Sequence, residues 1–274
     1  MPPALRTVRY RLLVLLQAAL YGVLASSGLL IGAAIGVLVE PPRRIVAGIM
    51  AFGCGVLVSA LTFELTAKAF ETGSEPFVVG GFLSGAVIYV ITASILDRLA
   101  ARSSKRQGRL ARDVQAGAAR KTDTKQAAAI SGSALLIGAI LDGIPENAAI
   151  GISLYAEGQK LGTVLLAAVF MANLPESISS SVGMRQEGRS RRYILGMWTV
   201  AAVVTTVAAV AGYVLLGGVS ANMVSAILAF AAGGILAMLA DTMMPEAFEN
   251  GGPFVALATA VGFIAAVLLS RLGA

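Results

Sequence analysis

Apolar runs of about twenty residues or more follow one another along most of the chain, broken by short polar stretches. Their ends mark eight segments, at roughly 12–39, 45–70, 77–96, 127–154, 160–184, 193–216, 221–244 and 253–271. A helix rises 1.5 Å per residue, so about 20 residues cross the ~30 Å hydrocarbon layer of a bilayer. Ten-residue stretches of alternating polarity are absent, which excludes an outer-membrane barrel. The expectation is an all-α membrane protein with eight transmembrane helices. One long polar stretch, 97–126, is rich in Ala, Gly, Gln and Ser and is expected to be a flexible or partly helical linker rather than a domain. Arg6, Arg9 and Arg11 precede the first run as in a signal peptide, but the run extends to Val39 and is too long for a typical h-region. It is therefore read as a retained first span.

Composition agrees with this reading. Hydrophobic residues make up 57% of the 274, charged residues only 13%, and the mean hydropathy is +0.82. A soluble domain of this size needs more polar surface. The net charge of +6 does not point to nucleic acid, because the basic residues flank the spans, where the positive-inside rule accounts for them. The loops after spans 1, 3, 5 and 7 carry 15 Lys and Arg, and the other side carries 6. This places the basic loops in the cytoplasm, against anionic lipid, and both termini outside the cytoplasmic membrane. The single cysteine, Cys54, allows no internal disulfide, and there is no histidine.

Spans 2 and 7 resemble each other. Residues 51–73 align without gaps to 229–251, with 8 of 23 positions identical, and both segments end in Ala-Phe-Glu-x-Gly (Ala69 to Gly73 and Ala247 to Gly251). Five spans apart, they cross the membrane in opposite directions, which is the pattern of an inverted repeat. In span 1, Gly28, Gly32 and Gly36 form a row of small residues, expected to pack closely on another helix of the protomer or across a homodimer.

The chemistry lies in two Pro-Glu motifs inside apolar runs. Span 4 carries Asp142, Pro145, Glu146 and Asn147, and span 5 carries Asn173, Pro175, Glu176 and Ser177. A carboxylate near the bilayer centre costs about 2.5–3.5 kcal/mol on insertion scales and is kept there for a partner or a task. A proline inside a helix also leaves the carbonyl four residues back without its donor, here at Leu141 and Met171. Asp142 and Glu146 share one helix face, as do Asn173, Glu176 and Ser180. If these faces meet, three carboxylates and carboxamides converge, and either a divalent cation or protonation must relieve the repulsion. Glu64, Asn147, Ser177, Ser180 and Asp241 are further candidates for a pathway. Glu64 has the alternative of pairing with Lys68 four residues on.

Eight spans, external termini, a long cytoplasmic loop after span 3 and the paired Pro-Glu motifs resemble the ZIP family of divalent metal transporters. The sequence Met244, Pro245, Glu246, Ala247 on span 7 is also similar to that family's. The resemblance implies a 3+2+3 arrangement with inverted repeats and a metal site between spans 4 and 5. It implies Asp142, Glu146, Asn173 and Glu176 as metal ligands. Asp142 stands where the family commonly has histidine, Ala172 replaces a second histidine, and span 6 offers no carboxylate for a second metal. Zinc favours nitrogen and sulfur, whereas an oxygen-rich site suits manganese or iron better. The transported substrate is expected among Zn, Mn and Fe, moving inward, with no prosthetic group and no enzymatic activity.

Two other readings fit the same residues. One is a non-transporting or regulatory membrane protein with this fold. The other is a proton-coupled carrier of an organic solute, with the carboxylates as proton sites. An intramembrane hydrolase is disfavoured, since there is no histidine and no lysine lies mid-span near the serines.

Overall fold

The computed structural model describes residues 3–39, 41–115, 140, 143–154, 159–215 and 219–273. Every regular element among them is a helix. In chain order these are α1 (Pro3–Leu38), α2 (Arg43–Ala60), α3 (Ala67–Thr72), α4 (Glu75–Gln115), α5 (143–154), α6 (Gln159–Gln186), α7 (Arg191–Val214), α8 (Ala221–Met238), α9 (Met244–Gly251) and α10 (Phe254–Gly273). Seven stretches are long and apolar enough to cross a membrane, and they correspond to the expected spans 1, 2, 3, 5, 6, 7 and 8. Span 4 is described over 143–154, where it is helical. The first part of the polar linker continues α4 as far as Gln115, and 116–126 lies outside the described residues.

Polarity is distributed as a bilayer requires. Leu83, Val87, Ile91 and Ile95 of α4 face outward, whereas Ser26, Glu64, Glu146, Asn147, Asn173 and Thr205 are buried. In lipid the hydrophobic drive between helices is lost, so close backbone approach and interhelical hydrogen bonds hold the bundle together. The Gly28, Gly32 and Gly36 row meets that expectation inside the protomer. A Cβ at these positions would lie 2.7, 2.3 and 2.7 Å from the carbonyls of Phe170, Leu174 and Ile178, so α1 rests directly on the backbone of α6. In the same way α5 rests on α7, where a Cβ at Gly151 would meet the Ala209 carbonyl at 1.9 Å.

The two related segments fold alike. Helices α2 and α8 are each 18 residues long, and both pass into a π-helical turn, Leu61–Thr66 and Leu239–Met243. The two turns begin at aligned leucines. Helix α2 packs on α10, and α8 packs on α4, through matching glycines. A Cβ at Gly55 would sit 1.9 Å from the Thr259 carbonyl, and one at the aligned Gly233 would sit 2.0 Å from that of Phe82. Conversely, a Cβ at Gly262 would sit 2.0 Å from the Phe52 carbonyl, and one at Gly85 would sit 2.0 Å from that of the aligned Phe230.

Candidate functional site

Pro175 lies inside α6 and supplies no N–H to the Met171 carbonyl. That carbonyl faces Gly53 of α2, where a Cβ would stand 3.0 Å away. Two residues further on, Asn173 is fully buried. Its Nδ2 donates to the Ala25 carbonyl of α1 at 3.1 Å, which fixes the orientation of the amide. Its Oδ1 then has no hydrogen-bond partner among the described residues. Glu176, one helical turn along, is half-buried.

On α5, Glu146 and Asn147 are buried at 2% and 0% exposure. Asn147 Nδ2 donates to the Gly143 carbonyl at 3.0 Å, and its Oδ1 lies 3.4 Å from Ser26 Oγ of α1. Glu146 interacts electrostatically with Cys54 of α2. The two Pro-Glu motifs therefore border the same neighbours at the same level: Ala25 and Ser26 on α1, and Gly53 and Cys54 on α2. Asp142 lies outside the described residues. Among the described residues no three His, Cys, Asp or Glu side chains form a metal-sized group; those of the two motifs that are described are Glu146, Glu176 and the Asn173 carboxamide.

The remaining candidates separate. The Ser177 hydroxyl lies 2.8 Å from the Asn173 carbonyl and 3.3 Å from that of Gly28, and a Cβ at Gly32 would strike it. Ser177 thus belongs to the α1–α6 contact. Ser180 is half-buried. Asp241 is exposed in the second π-helical turn. Glu64 is 4% exposed and accepts a hydrogen bond from Ser270 of α10 at 3.0 Å, while Lys68 pairs with Glu71 at 3.1 Å.

Two features lay outside the sequence reading. The first is a hydroxyl cluster beneath the motifs: Ser26 Oγ lies 2.8 Å from Thr205 Oγ1 and receives a bond from Thr206 at 3.3 Å. The Ser26-Ser27 pair in span 1 and the Thr205-Thr206 pair in span 6 were its only visible traces. The second is a cavity of about 240 Å³ lined by Arg43, Met50, Ser179, Gly183, Gln186 and Glu246, among others. Ser179 donates to Glu246 there, linking α6 to α9. Ser179, Gly183 and Gln186 continue the helix face of Glu176, so the cavity extends the line of the Pro-Glu motif toward the end of α6.

Compared with known proteins, the chain matches no family model and no curated protein.

Proposed function

We propose that the protein carries divalent metal cations, among Zn, Mn and Fe, inward across the cytoplasmic membrane through a site between α5 and α6. The observation that carries this reading is Asn173. It is fully buried, its amide nitrogen is held by the Ala25 carbonyl, and its oxygen has no partner among the described residues. A buried acceptor without a partner costs about 1–3 kcal/mol, and a hard cation is a ligand that satisfies it. Glu176 on the same face and Glu146 on the adjoining helix would supply charge, and Asp142 would add a third carboxylate.

The matched α–π–α segments and reciprocal glycine contacts support a ZIP-like 3+2+3 arrangement of inverted halves. Alternating access then comes from movement of those halves about the site. The cavity at Glu246 would be the cytoplasmic vestibule, with both termini on the outer face.

Uptake of Zn, Mn and Fe into proteoliposomes tests the reading. Glu146→Ala and Glu176→Ala should each abolish uptake at unchanged abundance in the membrane. Transport that survives both substitutions removes this site from the mechanism. The reading of a non-transporting relative draws on the absence of histidine from the sequence. Purified protein that binds no stoichiometric metal at micromolar concentration would favour it.

A further inference from the structure

Glu64 is a further intramembrane carboxyl, and it lies away from the Pro-Glu motifs. It stands eleven residues beyond Gly53, about 16 Å along the helix at 1.5 Å per residue. It is 4% exposed and sits in the π-helical turn that follows α2. Wide turns of this kind concentrate at functional positions. Ser270 Oγ of α10 donates to its Oε1 at 3.0 Å, and the rings of Phe63 and Phe263 pack 6.2 Å apart on the same interface. The repeat makes the residue conspicuous. Its aligned counterpart is Thr242, whose hydroxyl donates to its own helix at Met238. The matching turn of the other half carries its acid one position earlier, at Asp241, where it is exposed, so the fold does not require a buried acid here.

The charged groups around Glu64 are few. Helix α8 has no ionisable residue between Ala221 and Met238, and α6 has none between Leu165 and Asn173. The side chain of Lys160, in the first turn of α6, lies outside the described ones. Helix α3 brings Lys68, which pairs with Glu71, and α10 brings Arg271, which is exposed beside Ser270. The named partner of this buried carboxyl is one neutral hydroxyl, and an ionisable group at membrane depth marks a proton or ion pathway.

We propose that Glu64 is a proton-binding site of the transport cycle, occupied in the conformation described here and emptied when α10 moves away from the π-helical turn. The proton passes to water admitted by that movement, and the carboxylate is reprotonated on return. This rests on the transport reading above, and the experiment separates the two. Infrared difference spectra of the full-length protein at near-neutral pH, wild type against Glu64→Gln, should show loss of one carboxylic-acid carbonyl band. Uptake by the same proteins in proteoliposomes should lose its pH dependence in Glu64→Gln, and Ser270→Ala should shift the midpoint of the pH profile. No band lost, or a pH profile unchanged in Glu64→Gln, overturns the proposal. A wild type that shows the band but moves no metal sinks the transport reading, and with it the cycle to which this proton belongs.

Discussion

Asn147 and Asn173 reach α1 at consecutive residues, Asn147 at Ser26 and Asn173 at the Ala25 carbonyl. One turn of one helix thus positions both Pro-Glu motifs. The two amides differ in what remains to them. Asn147 has its amide nitrogen bonded to Gly143 and its oxygen near Ser26, whereas the Asn173 oxygen has no partner among the described residues.

Asn173→Ala should therefore weaken metal binding by at least the roughly 10–100-fold that follows loss of an outer-shell partner. Ser177→Ala, one turn along, should leave binding within a few-fold, because that hydroxyl serves the α1–α6 contact. Calorimetric titration of the purified proteins with Mn and Zn decides it. Equal losses in the two variants would mean that Asn173 is also only a packing residue.

Asp142→His restores a nitrogen ligand on the face of Glu146. Zinc should rise relative to manganese in elemental analysis of the purified variant, since zinc prefers imidazole to a hard oxygen donor. Unchanged metal ratios would place Asp142 away from the ion.

The aligned glycines at the two reciprocal helix contacts should respond alike. Gly55→Ala and Gly233→Ala each force a Cβ into a carbonyl at about 2 Å, an overpacking that typically costs about 1–3 kcal/mol. Gly48→Ala, with nothing within 4 Å, should be neutral or stabilise α2 by up to about 1 kcal/mol. Thermal unfolding in detergent measures all three. A large effect at only one of Gly55 and Gly233 would break the equivalence.

Gly183 lines the cavity and has open space around its Cα, so Gly183→Cys should fold normally. The native Cys54 is fully buried and should stay silent. A membrane-impermeant thiol reagent should label the variant from the cytoplasmic face of vesicles alone. Labelling from the outer face would invert the expected orientation.

Much of the fold was legible because a bilayer imposes long apolar runs, and seven of the eight expected spans coincide with helices of the required length. The repeat was legible from eight shared residues, but the π-helical turns were not. A slip in backbone hydrogen bonding at Leu61 and Leu239 leaves no mark in residue type. The glycine row of α1 announced a close contact without naming its partner, because small residues suit any helix. The Asn173 side chain was legible as a candidate ligand from its place beside Pro175. Ser26 and Thr205 were not, since isolated hydroxyls in apolar helices usually bond their own backbone and only the fold brings these two together. The Ser179–Glu246 link was hidden for the same reason: its partners are 67 residues apart.

The two wide turns also bear on how such a bundle can move without melting. A turn with one extra residue can migrate along its helix one position at a time, each step exchanging one backbone bond for another. Each step turns only the residue it passes, by about 100°, the angle of one residue in a helix of 3.6 per turn, and leaves the segments on either side in phase. The side chains inside the two turns, Glu64 and Asp241 among them, can thus be re-aimed one at a time with the surrounding rods left intact.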